Sequence, residues 1–375
     1  MKIAIFTDSF LPGIGGTENV VLRLSKELSK NHEVIVFAPD YHRPYEENLD
    51  LPFKVVRAKS IGFTKNDYWA MPGATKLIKK TLDEFKPDVL HTHTLGMMAG
   101  YANKYGKKHN IPVICTVHTK FKYCYKHVFK LNILINILLA HVIKRAEKAD
   151  RVCSVSYSMI PELKSYGLKN KEVTVIKNGN DSKAEHEIVK TKNDKFVILY
   201  VGMIIGYKNL GFSLSALAEL KKRRSDFVFY MVGRGSHEKK FKKMSEKLGL
   251  KDNVIMTGAI TDRNKLNEIY AMSDLFLFTS IFDNDGLVIL EAADMGTPAL
   301  VIENTGASER FIPEQTGFVA KYDAVSVADK IEELMGEREK LVEVGKRARS
   351  IFIPWEKVAE DYLNIYNEEI ALKTE

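Results

Sequence analysis

Residues 280–301, SIFDNDGLVILEAADMGTPALV, carry two carboxylates eight positions apart, Asp283 ahead of a helical pattern and Glu291 within it. Gly286 closes the acidic loop, LVILEAADMG has helical spacing, Gly296 is its stop and Pro298 lies beyond. The amides of Gly286, Leu287 and Val288 then form a helix N-terminus, which favours an anion. Carboxylates beside a diphosphate would repel it, so Asp283 and Glu291 should meet something neutral. A carboxylate accepts two hydrogen bonds and suits a vicinal diol, as on a ribose or a hexose. The plainer alternative is an acidic residue ahead of a helix and a solvated helix glutamate.

Three other stretches have chemical potential. In YVGMIIGYKNLGF (200–212), Lys208 stands at a helix start, where a cation opposes the macrodipole unless an anion lies between them. A solvated surface lysine is the alternative. In PGIGGTENVV (12–21), Gly13, Gly15 and Gly16 let a backbone approach a ligand closely at a helix opening. The spacing is not G-x-G-x-x-G, and Glu18 sits where a dinucleotide loop needs small residues, so a dinucleotide site is not expected. In CTVHTKF (115–121), His118 ends a β-branched run and can bond a hydroxyl or steady a departing phosphate. His91 and His93 of HTHT alternate on one strand and point the same way, but no third ligand accompanies them, so no metal is expected.

These residues need a scaffold, and the chain supplies a rhythm of short β-branched runs, Gly or Asp turns and helical periods. KIAIFTD, EVIVFAP, DVLHTHT, VICTVHT and RVCSVS are strands of a first half; KFVILYVG restarts the pattern, followed by FVFYMVG, NVIMTGA, LFLFTS and ALVIEN. Strands alternating with helices imply parallel sheets covered by helices. The polar stretch NGNDSKAEHEIVKTKND (178–194) reads as an inter-domain connection. The fold class is therefore α/β, with two Rossmann-like doubly wound domains at residues 1–183 and 184–354 facing each other across a cleft.

Bulk properties narrow the class. A chain of 375 residues with 45% hydrophobic and 28% charged residues is globular and long enough for two cores. A net charge of +8 favours phosphorylated partners or an anionic membrane surface. No nucleic-acid recognition motif accompanies that charge, so nucleic acid is not an expected partner. Three cysteines without metal-ligand spacing suit a reducing, cytoplasmic compartment. The longest apolar stretch, LNILINILLAHVI (131–143), is too short to span a bilayer. It belongs to a basic, aromatic and apolar segment (120–148) in which Lys122, Lys126 and Lys130 share one face if helical. Such a face suits the anionic inner surface of a membrane; a core-facing helix with a solvated basic end is the alternative.

In order and spacing these motifs resemble the retaining family 4 glycosyltransferases of the GT-B fold, over nearly the whole chain. The likeness runs from PGIGGTENVVLRLSKELSKNHEVIVFAP through PDVLHTHT, TVHT, VIKNGND, VGMIIGYKNL and GLVILEAADMGTPALV to WEKVAEDYLNIY. The resemblance implies an acceptor-side first domain completed by a C-terminal helix (355–375) and a nucleotide-sugar donor domain. It implies Gly16 near donor phosphates and acceptor, His118 on the donor hexose, and Lys208 on the diphosphate. The amides of Gly286, Leu287 and Val288 would hold phosphate, with Asp283 near the sugar and Glu291 on the ribose. Asp283 stands where the family has glutamate, and Met203 where it has an arginine; Arg234 takes up part of that lost charge. The surroundings HTHT…TVHT are similar to the diacylglycerol glucosyltransferase branch. The implied activity is metal-independent transfer with retention of a hexose, from a UDP-sugar such as UDP-glucose to a lipid hydroxyl. No cofactor is implied beyond the donor. Alternatives are a soluble or polysaccharide acceptor, an inert nucleotide-sugar-binding homologue, or an epimerase, against which Lys208 together with 283–291 argues.

Overall fold

The computed structural model describes residues 1–13, 15–41, 50–62, 68–70, 74–180 and 194–374. Ile14 of the glycine-rich loop and most of the expected 178–194 connection lie outside the described residues. The chain divides into two compact units, residues 1–179 with 353–375, and residues 180–352. The sequence reading had put these divisions at 183 and 354.

The first unit contains β1 (Lys2–Phe6), α1 (Gly16–Leu28), β2 (Glu33–Pro39), β3 (Lys54–Ala58), β4 (Ser60–Gly62), β5 (Tyr68–Ala70), α2 (Ala74–Phe85), β6 (Val89–Thr92), α3 (Met97–His109) and β7 (Val113–Val117). It continues with α4 (Phe121–Val128), α5 (Asn132–Ala146), β8 (Arg151–Ser154), α6 (Met159–Ser165) and β9 (Val173–Val175). Seven strands form a parallel sheet in the order β3-β2-β1-β6-β7-β8-β9, while β4 and β5 pair by themselves. The central strands read as unbroken apolar runs because both of their faces are covered; Ile3, Ala4, Ile5 and Phe6 are fully buried.

The second unit contains β10 (Phe196–Val201), α7 (Leu210–Lys221), β11 (Phe227–Val232), α8 (Glu238–Lys247), β12 (Val254–Gly258), α9 (Arg263–Met272), β13 (Leu275–Phe278), α10 (Leu287–Asp294), β14 (Ala299–Ile302), β15 (Phe318–Ala320), α11 (Ala324–Gly336) and α12 (Arg338–Ala348). Its six strands run parallel in the order β12-β11-β10-β13-β14-β15. Leu199 of β10 stands between Tyr230 of β11 and Phe276 of β13.

The last helix, α13 (Trp355–Thr374), belongs to the first unit. Its inward stripe is Trp355, Val358, Ala359, Tyr362, Ile365, Tyr366 and Glu369, spaced three and four apart. Polar contacts fasten it: Arg151 Nε donates to Glu369 Oε1 at 2.7 Å, and Lys373 pairs with Asp150 at 2.8 Å.

One expectation needs correction. Lys122 and Lys126 lie exposed on α4, but Phe129 is extended (φ −113, ψ 134) and ends that helix. Lys130 therefore sits between α4 and α5 rather than on a shared face. Helix α5 buries Ile135, Leu139, Val142, Ile143 and Ala146. Its opposite side is also apolar, with Ile133 77% and Ile137 51% exposed, and Leu131 just ahead of it 69% exposed. Among the described residues no helix is long and apolar enough to cross a membrane.

Candidate functional site

In the second unit the crossovers from β10 and β13 leave in opposite directions, so the loops after these adjacent strands part at their carboxyl ends. A crevice at such a switch point is where open α/β sheets bind ligands. Lys208 follows β10 and Asp283 follows β13. Their side chains meet there, Lys208 Nζ donating to Asp283 Oδ1 at 2.5 Å, with 16% and 22% of the side chains exposed. Asp283 Oδ2 is buried without a hydrogen-bond partner among the described residues.

The surrounding chain fixes both loops. Lys208 ends a 3-10 turn, Gly206–Lys208, and Asn209 takes a left-handed conformation (φ 60) before α7 begins at Leu210, so the lysine precedes the helix rather than opening it. Asn209 Nδ2 donates to the Thr279 carbonyl at 3.0 Å, and Ser213 and Thr279 hydroxyls meet at 2.7 Å, tying the β10 loop to the end of β13. The acidic loop is held from its far side. Arg310 Nη2 donates to Asp285 Oδ2 at 2.6 Å and Nε to the other oxygen, with side chains 1% and 5% exposed. A Cβ on Gly306 would lie 2.0 Å from the Asn284 carbonyl oxygen, so the two loops pack backbone to backbone.

Gly286 turns the chain into α10 with φ +62, a region that penalises a side chain. The N–H of Leu287 and Val288 has no carbonyl of the helix behind it, as at every helix start. Glu291 lies one turn on and is not a solvated surface acid. Tyr270 donates its hydroxyl to Oε2 at 3.1 Å, and Arg263 Nη1 lies 3.2 Å from Oε1. Burial, then the charge of Glu291, pushes the Tyr270 phenol well above its ordinary pKa, so it stays a donor. Two acceptor positions of the carboxylate remain for a ligand.

Arg234 is exposed in the loop after β11, and its carbonyl accepts the Ile204 N–H at 3.0 Å. That bond sets it beside Met203, which is 43% exposed. The approach requires glycine: a Cβ on Gly233 would sit 1.9 Å from the Gly202 carbonyl oxygen.

The first unit has its own switch point, between β1 and β6. Asp8 occupies it and serves α3, accepting from Gly96 N–H at 2.8 Å, Met98 N–H at 3.0 Å and the Thr94 hydroxyl at 2.5 Å. The start of α3 is thereby filled by the protein's own carboxylate. Gly16 opens α1 instead, exposed, and a Cβ there would meet nothing within 4 Å. His118 follows β7, half-buried, and its Nε2 lies 3.0 Å from Nδ1 of buried His93. His91, 4.1 Å from His93 by ring centroids, is held by the Tyr366 hydroxyl (2.6 Å) and Thr116 (2.8 Å). Burial, with a contribution from His118, pushes its pKa down to about 3. No group of three or more His, Cys, Asp or Glu side chains placed to hold a metal occurs among the described residues.

Sequence reasoning missed Tyr270 and Arg263, which orient Glu291, and the Asp285–Arg310 pair. Tyr270 reads as an ordinary amphipathic position, and Arg310 as one more surface cation; neither carries a local signal.

The architecture and this site can be set beside known proteins. A model described as Glycosyltransferase Family 4 matches residues 14–183, and one described as Glycosyl transferases group 1 matches residues 181–351. The alpha-monoglucosyldiacylglycerol synthase of Streptococcus pneumoniae is 27% identical over 328 residues, covering 81% of this chain and 71% of its own. Sucrose-phosphate synthase from Thermosynechococcus elongatus superposes with a TM-score of 0.82 at 19% identity, covering 99% of both chains. Anabaena HepE, solved in complex with UDP, has a TM-score of 0.77 at 18% identity, covering 98% of this chain and 100% of its own. With the two family models spanning both units, the chain belongs to the family 4 glycosyltransferases and has the two parallel-sheet α/β domains of the GT-B fold.

Proposed function

We propose that this glycosyltransferase moves a hexose from a UDP-sugar to the hydroxyl of a membrane lipid, a diacylglycerol or glycolipid, with retention at the anomeric carbon. The observation that carries this reading is the meeting of Lys208 with Asp283 at the switch point of the second unit. A diphosphate takes the Lys208 ammonium and the α10 amides, with Arg234 supplementing the charge. The hexose lies against Asp283 and the ribose on Glu291, while His118 of the first unit bonds a hydroxyl or phosphate oxygen of a substrate. The acceptor oxygen bonds to the anomeric carbon as the bond to UDP breaks, and the departing phosphate oxygen takes the acceptor's proton. Lys208 and the amides stabilise the charge on the leaving group, so neither a metal nor a further cofactor is invoked. The UDP bound to HepE supports the donor class. The name of the pneumococcal relative supports a lipid acceptor, and its α-linked product supports retention from an α-linked donor.

The acceptor surface is Lys122, Lys126 and Lys130 beside the outward Ile133 and Ile137 of α5. Isoleucines facing water on one helix and exposed lysines on and after the preceding one suit an anionic interface, with apolar side chains entering it and ammonium groups on lipid phosphates. The protein then works peripherally at the cytoplasmic face.

UDP-glucose and GDP-mannose are offered to the protein with and without diacylglycerol vesicles, and free nucleotide is measured. Release of UDP only with lipid, and an α-linked glycolipid by mass spectrometry and NMR, support the proposal. Nucleotide binding without release in any mixture overturns it in favour of an inert homologue. Transfer to soluble sugars alone overturns the lipid acceptor.

A further inference from the structure

We infer that His93 is a positioning residue, donating its Nδ1–H to Nε2 of His118 and so fixing the ring and tautomer that His118 presents to a substrate. The role toward a substrate rests on the function proposed above; the tautomer does not. His93 is 1% exposed, too enclosed to touch a substrate, and its Nδ1 lies 3.0 Å from His118 Nε2. The rings lie edge to edge in nearly one plane, with centroids 5.2 Å apart and planes 14° from parallel, as an in-plane N–H···N bond requires.

The other nitrogen of His93 decides the direction of the bond. Nε2 is buried with no hydrogen-bond partner among the described residues. A neutral imidazole carries one N–H and one lone pair. If His118 donated, His93 would carry its proton on Nε2, a buried N–H without an acceptor, the rarer kind of orphan in folded proteins. If His93 donates, the orphan is a lone pair, the less costly kind. Burial holds His93 far below the ordinary histidine pKa, so it stays neutral.

The support behind it is rigid. His91 lies against His93 and is held on both nitrogens, by Tyr366 and by Thr116, which also meets the Tyr362 hydroxyl at 3.1 Å. His118 accepts at Nε2 and therefore carries its proton on Nδ1. That Nδ1–H is a hydrogen-bond donor, fit for a sugar hydroxyl oxygen or a phosphate oxygen and unfit to act as a base at that atom.

Long-range proton–nitrogen correlation spectra of protein labelled with 15N-histidine read the tautomer directly, His118 being assigned by loss of its signals in His118→Gln. The inference expects His118 protonated on Nδ1 in the unsubstituted protein without ligand. His93→Leu shifts that signal toward a mixture and lowers turnover by up to roughly 100-fold, the scale of a small misplacement at a reacting centre. His93→Asn, whose amide N–H reproduces the Nδ1 donor, keeps the tautomer and most of the turnover. Protonation of His118 on Nε2 in the unsubstituted protein overturns the inference whatever the variants do, as does an unmoved signal in a folded His93→Leu protein. If the tautomer moves as expected while turnover stays level, the positioning stands and the role of His118 toward a substrate falls.

Discussion

Lys208 has one ammonium and two suitors. Asp283 holds it at 2.5 Å without ligand, and a donor diphosphate must displace that carboxylate or share the cation with it. Asp283→Asn removes the competitor and its repulsion. UDP should then bind about fivefold tighter by titration calorimetry, the scale of about 1 kcal/mol for a partly exposed pair. Turnover should fall roughly 100-fold, because the sugar loses its orienting acceptor. Weaker UDP binding together with full turnover would return Asp283 to an ordinary surface acid. Arg234→Ala should raise the donor KM several-fold with little change in kcat, since Arg234 adjoins Met203 where a cation is lacking. Gly16 gives a cleaner separation. Nothing lies within 4 Å of a Cβ there, so Gly16→Ala should leave the melting temperature unchanged while impairing turnover wherever a ligand packs on that backbone. The residue types of this candidate site could be picked out in the sequence, because glycine, lysine and carboxylate gather there after strands, where open α/β sheets bind ligands. Their pairing was not: Lys208 and Asp283 are 75 residues apart, and only the order of the strands brings them together.

At the scale of elements, the acidic loop is braced by a buried ion pair, Asp285 with Arg310. Removing one partner leaves a charge without its counterion in the interior, at a cost of about 3–5 kcal/mol. Arg310→Met should therefore lower the melting temperature by roughly 10 °C. Asp285→Leu combined with Arg310→Met should recover much of that loss, because an apolar pair avoids the desolvation penalty. If the double variant is as unstable as the single one, the pair contributes more than mutual neutralisation. The alternation of strands and helices was legible from β-branched runs and helical periods, since strands covered on both faces must be apolar throughout. The break between α4 and α5 was not, because the lysines continue at four-residue spacing through a backbone that turns extended at Phe129.

At the scale of the whole molecule, acid should act first on the unit that holds α13. Tyr362, Tyr366, Thr116, His93 and His118 surround His91, whose pKa is lowered to about 3 from 6.5. Its neutral form is held only by the folded state, so the stability it confers is complete above pH 6.5 and is lost as pH falls toward 3. Between pH 6.5 and 5 each such histidine costs about 2 kcal/mol. Melting curves over that range should steepen accordingly, and His91→Gln should flatten them. Equal pH dependence in the variant would show that other groups dominate. The division into two units was legible from the restart at KFVILYVG, but the anchoring of α13 on His91 was not. An apolar helical stripe names no partner, and Tyr366 meets a residue 275 positions earlier. That anchoring has a consequence for biosynthesis. The chain leaves the first unit at Gly179 and re-enters it only at Ile353. On the ribosome, the unit translated first therefore stays unfinished until Tyr366 has left the exit tunnel, while the unit translated second can close before it. A chain truncated after residue 352 would carry every residue of the second unit and expose the buried histidines that await their tyrosines.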